Sequence, residues 1–489
     1  LISSIITLLL PMIVSSAAFA VEGGWQQETR LTNDDAVSFT AANNCKWLAV
    51  DLEGTLHVVW LDNRYKNYEI FRKMKVGGIW LPDERVTNAS GTSDRPNLAV
   101  DELGRLHLVW NDDRDGNMEI YHRIWNGSWS AEQRVTNTSG DSFGAAIVAD
   151  GNTIHMVYLE NVSGHLQVMY RTYENSKWSS AIPLTNASTG DRQVPTIAIG
   201  PDGSLHVAWG DPRQDAVGAN EKIYYRKKSG AFWLGEEVLT DPANIAMRPN
   251  IAVDDSGFVH IAWIDAREPY EQIYYRRCGP SGWESEIALT RGSVTHYHPS
   301  IAAAGGEVFL AYWQNLEGET NSEVYFRRCV AGSWTSPTRI SNAAGKSELP
   351  CLIAEPNRNL HLAWVDSGDG NEEIYYREYI DPQNGTGGGD DARPPWIPVP
   401  LAISSRPNPF SASTDIELSV PQTCLASVSI YDVNGRCVRK LFSRTIPRGA
   451  YAATWDGRDD AGRAVAPGVY FVLGRAAKQS IERKIILLK

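Results

Sequence analysis

Seven tryptophans, Trp25, Trp80, Trp129, Trp178, Trp233, Trp283 and Trp334, recur at intervals of 49 to 55 residues. Each heads a similar phrase: "WQQETRLTN", "WLPDERVTN", "WSAEQRVTN", "WSSAIPLTN", "WLGEEVLTD", "WESEIALTR" and "WTSPTRISN". A polar loop follows, then an apolar run such as "PNLAVD" or "PTIAIG", a short Gly turn, and a run such as "LHLVW" or "VHIAW". The unit closes on "EIYHR", "KIYYR" or "EIYYR". Each unit is therefore four short segments rich in β-branched and aromatic residues, divided by turn residues, which is the pattern of antiparallel strands. One such unit cannot cover its own apolar faces, so units of this kind must stack.

A period near fifty residues with four strands per unit predicts propeller blades. The strands are named here in order within a blade: A ("PNLAVD"), B ("LHLVW"), C ("EIYHR") and D ("WSAEQRVT"). The sequence opens on a lone strand D, Trp25 to Thr32, and its last unit has only A, B and C, Leu349 to Tyr379. A ring accounts for both orphans, because the first strand then completes the last blade and removes two open sheet edges. The expected fold is all-β, a seven-bladed β-propeller over residues 21–380 with four-stranded antiparallel blades, the N-terminal strand closing blade seven. Within strand B, Leu106, Leu108 and Trp110 should face one neighbouring blade, and His107 and Val109 the other.

The first twenty residues are apolar and end in Ala18-Phe19-Ala20, an A-x-A pattern that reads as a secretory signal peptide over residues 1–20. The formal net charge of -12 argues against nucleic acid or an anionic membrane as the main partner. The six cysteines, at 45, 278, 329, 351, 424 and 437, form no C-x-x-C pair, so no structural metal site is expected, and disulfide pairing stays open.

Residues 381–405 are rich in Gly, Pro and Asp and read as a linker. From residue 390 onward 14 Lys+Arg stand against 9 Asp+Glu, a net of +5, which leaves -17 for the part before it. The charge reverses where a new domain, residues 406–489, would begin. Alternating strands, Gly-rich turns and an Asn434-Gly435 hairpin signal predict a small β-sandwich there. Its phrases "NPF", "IYDVNGRCVRKL", "TWDGRDDAGRAVAPGVYF" and "KIILLK" resemble the FlgD-type Ig-like domain. The resemblance implies scaffold roles for Trp455, Asp456, Gly457, Gly462, Pro467, Gly468 and Tyr470. It also implies export, with display at or release from a bacterial cell surface, since the module is similar to the C-terminal tails used as type IX secretion signals.

The residues after strand B read Asp62-Asn63-Arg64, Asp112-Asp113-Arg114, Asp211-Pro212-Arg213 and Asp265-Ala266-Arg267 in blades one, two, four and five. Blade seven keeps only Asp366, blade three has Glu160 and blade six Gln314. A group repeated around a ring suits turn chemistry: Asp caps the B–C turn and Arg pairs with a nearby carboxylate. A second reading rests on position, because B–C turns and D–A loops share one face of the disc. Arg64, Arg114, Arg213 and Arg267 would then converge on a mouth suited to a carboxylate or sulfate, such as an acidic sugar. Asp112, Asp113 and Asp115 before Gly116-Asn117 are suggestive of a calcium loop, but their spacing is too short for D-x-[DN]-x-[DN]-G, so the expectation is no cofactor, with calcium as the alternative.

Six histidines, His57, His107, His155, His206, His260 and His361, share one strand-B position that is Phe309 in blade six, which marks a core place. Glu69, Glu119, Glu323 and Glu373 of strand C should pair with the arginine of the "YYR" phrase. Blade six departs from the repeat. Its D–A loop carries His296, Tyr297 and His298, and its B–C turn Trp313, Gln314, Glu317 and Glu319. Aromatic and polar groups at a propeller mouth suit sugar stacking and hydrogen bonding, so His296, Tyr297, His298 and Trp313 join the candidate ligand-binding residues. Ordinary drift of a degenerate blade would produce the same pattern.

By blade layout, residues 25–380 resemble the sialidase-like (BNR-type) propellers of secreted bacterial proteins. The S-x-D-x-G-x-T-W box of that family is absent, as is its F/Y-R-I-P segment, and no catalytic residue can be assigned. The expected function is a secreted or cell-surface propeller that binds glycan or an extracellular protein. The alternatives are a divergent sialidase-like glycosidase, for which two carboxylates would have to flank a sugar, and a display protein with no specific ligand.

Overall fold

The computed structural model describes residues 24–40, 46–186, 192–193, 195–212, 220–241, 243–316, 318, 321–384, 402–406, 408–420, 424–433, 436–446, 449–460, 462–476 and 479–488. The expected signal peptide, most of the expected linker, the Asn434-Gly435 hairpin position, Cys45, Arg213, Glu317 and Glu319 lie outside these residues. The chain divides into two compact units, residues 1–394 and 395–489.

The first unit is a seven-bladed propeller of antiparallel sheets. Blade two shows the plan, with strand A at Ser93–Val100, B at Leu106–Asp112, C at Glu119–Trp125 and D at Gln133–Arg134. Blade seven takes A, B and C from Ser347–Ala354, Leu360–Asp366 and Glu373–Ile380. Its outer strand comes from the other end of the chain: Gly24 and Trp25 pair with Ile380 and Tyr379, and Thr29 and Arg30 with Tyr376 and Tyr375. The innermost strands pack blade against blade, and Ser347–Ala354 meets strand A of blade one, Leu48–Val50, to complete the ring.

Strand B is buried along its whole length in blades one, two, four, five and seven. The reason is that the apolar clusters lie between blades. Ala208, Ile223 and Tyr225 of blade four share one cluster with Ile261, Trp263 and Tyr274 of blade five. In blade two, Leu106, Leu108 and Trp110 face blade one, whereas Val109 packs toward blade three.

The repeated tryptophan now has a physical role. Trp233, Trp283, Trp334 and Trp80 each meet, edge to face, a strand-C tyrosine of the preceding blade (Tyr170, Tyr225, Tyr275 and Tyr376), with ring centroids 5.0–5.2 Å apart. Trp25 does the same with Phe326 at 5.0 Å, so the closing strand uses the general rule. The strand-C arginines form a second latch. Arg171, Arg226, Arg276 and Arg377 donate to the carbonyls of Val135, Leu184, Leu239 and Ile340 in the preceding blade at 2.6–2.8 Å. Lys73 of blade one serves the Leu31 carbonyl at 2.7 Å.

This corrects the expected ion pairs. The strand-C glutamates do not bind the "YYR" arginines, which are occupied by backbone carbonyls. They bind the arginine of strand D: Arg85 with Glu69 at 2.9 Å, Arg134 with Glu119 at 3.0 Å and Arg339 with Glu323 at 2.5 Å. The shared histidine position is a core place, as expected. His206, His260 and His361 bond the hydroxyls of Tyr225, Tyr275 and Tyr376 at 2.6, 2.7 and 2.7 Å.

The second unit is a sandwich of a three-stranded and a four-stranded antiparallel sheet. Ile416, Leu418, Val428, Ile430, Val472 and Ile485 form its core around the fully buried Trp455. Trp455 Nε1 donates to the Arg458 carbonyl at 2.9 Å, and the Tyr470 hydroxyl to that of Ala466 at 2.6 Å. Both bonds let a large aromatic enter the core without stranding its polar atom.

Candidate functional site

In blades one, two and five the aspartate that ends strand B caps its own turn. The backbone N–H groups of Arg64, Arg114 and Arg267 donate to Oδ1 of Asp62, Asp112 and Asp265 at 2.9, 3.1 and 3.1 Å. Each guanidinium folds back onto the same carboxylate; Arg114 Nε meets Oδ1 at 2.7 Å and Nη2 meets Oδ2 at 2.6 Å. Burial alone would raise the pKa of Asp112. Hydrogen bonds from Arg114, Ser93 and Trp110 outweigh it and hold the carboxyl below the usual range.

The remaining nitrogen of each arginine turns outward. Nη1 of Arg64, Arg114 and Arg267 reaches Asp83, Glu132 and Glu286, beside strand D, at 2.7, 2.5 and 2.5 Å. The guanidinium planes lie over the strand-C rings of Phe71, Tyr121 and Tyr274. These three arginines therefore do not converge on the mouth, because at least two carboxylates engage each one, Arg64 holding Asp34 as well at 2.7 Å. Arg213 lies outside the described residues, and Asp211 is bound by Arg192 at 3.0 Å. The carboxylates suggestive of a calcium loop are likewise engaged: Asp113 accepts the Thr92 N–H at 2.6 Å, and Asp115 the Tyr121 hydroxyl and Arg134.

The mouth is built by other residues. Strand A slips register against strand B in blades two, three, five, six and seven. The bulged residues are Arg95, Gly144, Arg248, His298 and Leu349, all in the left-handed region with φ between 50° and 68°. A bulge breaks the alternation of a strand and re-aims one side chain. In blades two, five and six the residue at the bulge is polar: Arg95, Arg248 and His298. Arg248 Nη1 donates to His298 Nε2 of the next blade at 2.7 Å. Since a guanidinium only donates, that imidazole nitrogen accepts. Burial lowers the pKa of Arg248, Glu221 and Tyr297 oppose the change, and Arg95, three blades away, adds to it. Arg95 and Arg248 therefore lie within electrostatic reach of each other.

Blade six supplies the aromatic part. The Tyr297 and Trp313 rings meet at a tilt of 34° with centroids 4.7 Å apart, and the His298 ring stacks on Trp313 at 6.1 Å and 19°. Trp313 Nε1 is buried without a hydrogen-bond partner. His296 belongs elsewhere. It is buried and stands across from Gln314, at the register where blade two has Ser93 and Asp112. His–Gln thus replaces Ser–Asp in the wall, and burial pushes the pKa of His296 down to about 4.

Of the residues singled out from sequence, the structure brings Tyr297, His298 and Trp313 together. Arg95 and Arg248 were missed, as was Glu221, whose carboxyl burial pushes up to about 7 against the pull of Arg248. The available signal was the pre-proline position in "DRPN", "MRPN", "YHPS" and "ELPC", where polar and apolar residues alternate without a period.

The FlgD Ig-like domain family matches residues 410–478. No curated protein matches the chain. Among solved structures, the polysaccharide lyase Uly1 is similar over 73% of this chain and 100% of its own, at 11% identity and TM-score 0.51. A PL25 ulvan lyase aligns over 71% and 96%, at 10% identity and TM-score 0.50. PorZ, an essential bacterial surface component of the type IX secretion system of Porphyromonas gingivalis, aligns over 92% of this chain and 60% of its own, at 15% identity and TM-score 0.39. At such identities the likeness is one of fold.

Proposed function

We propose that the protein is a secreted or cell-surface propeller that binds an anionic glycan at the mouth formed by its strand-A bulges, D–A loops and B–C turns. The observation that carries this reading is the Arg248–His298 bond between neighbouring blades beside the adjoining rings of Tyr297 and Trp313. A guanidinium matches carboxylate or sulfate oxygens, and an adjoining aromatic pair suits the apolar face of a pyranose ring. Arg95 adds a second cation. Two propellers of similar fold are polysaccharide lyases, which accords with a sugar ligand, and the FlgD Ig-like unit accords with export. The reading is one of binding, with no catalytic step assigned.

The test is a glycan array probed with the full chain, followed by calorimetry on the hits. Arg248→Ala and Arg95→Ala should each weaken binding to anionic glycans by about tenfold or more, as expected for a charge-assisted contact. Unchanged affinity in both variants would remove the mouth as the site.

A further inference from the structure

Blade four departs from the repeat at one small residue beside the mouth. The position before the end of strand B is Leu61, Asn111, Leu159, Ile264, Trp313 or Val365 in the other blades, and Gly210 here. A Cβ at 210 would stand 2.5 Å from Glu221 Oε1 and 3.4 Å from the Gln193 side chain. The space that a side chain would fill is thus occupied by the Glu221 carboxyl. Its Oε1 is buried and has no hydrogen-bond partner. The charged groups that face it are Arg248, from blade five, and Asp211 of its own blade, which Arg192 already binds. Arg248 in turn is bonded to His298.

We propose that Glu221 is an uncharged carboxyl donor of the mouth and that, with Arg248, it recognises the carboxylate of a hexuronic acid residue in an acidic polysaccharide. The inference rests on the mouth reading above and narrows its ligand. An oxygen sealed from water with no donor beside it disfavours the carboxylate form, and Asp211 disfavours it further. A carboxyl kept neutral in this way can donate a hydrogen bond near pH 7. The ligand carboxylate then accepts N–H from Arg248 and O–H from Glu221, while Tyr297, whose ring adjoins that of His298, flanks the sugar. A sulfate ester is a much weaker base than a carboxylate and is a poor acceptor for a carboxyl proton, so the pair selects uronate. As pH rises through the Glu221 pKa the donor becomes a repelling charge and affinity falls.

The test is calorimetry of the full-length protein with polygalacturonate oligomers, their methyl esters and dextran sulfate. Wild-type affinity for polygalacturonate should fall about tenfold or more between about pH 6 and about pH 8.5. Glu221→Gln, which keeps a donor but cannot ionise, should retain the affinity and flatten the pH profile. Gly210→Ala, which displaces the carboxyl and leaves residue 221 unchanged, should weaken binding at the lower pH. The methyl esters should not bind, and dextran sulfate should bind more weakly at the lower pH and lose less affinity as the pH rises. If Glu221→Gln keeps the wild-type profile, or dextran sulfate titrates like polygalacturonate, the inference fails while the mouth survives. If Arg248→Ala and Arg95→Ala both bind every anionic glycan as the wild type does, the mouth reading itself falls, and the inference with it.

Discussion

Arg30 Nη2 donates to Glu373 Oε1 at 2.8 Å across 343 residues of chain. Glu373 has a fully buried side chain, and Arg30 is about a quarter exposed. The same pairing joins Arg134 to Glu119 inside blade two, so the ring is closed by an ordinary blade contact used between opposite ends of the sequence. Thr32 repeats the point. Its hydroxyl accepts the Ile374 N–H at 2.8 Å, as Thr136 accepts that of Ile120.

Arg30→Ala should destabilise the propeller by about 1–3 kcal/mol, because it strands a buried carboxylate. Thermal melts would read the loss. In a double-mutant cycle, Glu373→Gln should recover part of it, since the amide carries no charge to strand. A wild-type melting temperature for Arg30→Ala would show that the N-terminal strand does not hold the ring shut.

The two kinds of mouth-side arginine should separate cleanly. Arg114→Ala removes both bonds to the buried Asp112 and the contact with Glu132, so it should lower the melting temperature and leave glycan affinity nearly unchanged. Arg248→Ala should do the reverse, because its partner His298 is a neighbour at an opening and not a strand inside a blade. Equal effects of the two substitutions on both measurements would contradict the division drawn here.

That division marks the limit of what the sequence could reveal. The blades were legible because most units repeat the same Trp, Asp, His and Tyr at the same offsets, and alternation assigns each to a face. The closing strand was legible because "TRLTN" resembles the phrase of the other D strands. The mouth was not. Arg95, Arg248 and His298 sit on bulges, where the two-residue period that sorts side chains fails. Glu221 became notable only with Gly210 vacating the space beside it, a relationship between strands that no single stretch displays. The glutamate partners were misassigned for a related reason: strands C and D each offer an arginine, and only the register distinguishes them.

Acid should weaken the propeller through its buried histidines. Burial pushes His122 down to about 3, and His155 and His206 down to about 4, from an unfolded value of 6.5. The unfolded chain therefore binds more protons than the native one below pH 6.5, and the stability these groups contribute is complete above that pH. It is lost progressively as pH falls from about 6.5 toward about 4. Blade six already shows a non-titrating substitute, Phe309 stacked on Phe326. The double variant His206→Phe/Tyr225→Phe should therefore retain more of its neutral-pH melting temperature at about pH 4.5 than the wild type does, a difference that calorimetric scans across this range would detect.

Blade six should also prove improvable where it has diverged. Tyr312 occupies the place of Trp110 and Trp263, whose indole N–H groups bond Asp112 and Asp265 at 3.1 Å. With Gln314 in place of the aspartate, the Tyr312 hydroxyl is buried with no hydrogen-bond partner. An unsatisfied buried hydroxyl is a net cost, so removing it while keeping the ring should stabilise the fold by about 1 kcal/mol. Tyr312→Phe is predicted to melt higher than the wild type and to bind glycan unchanged, since Tyr312 is buried against blade five. A lower melting temperature would mean that the hydroxyl has a bonding role in solution. Weakened binding would instead couple this wall to the mouth it supports.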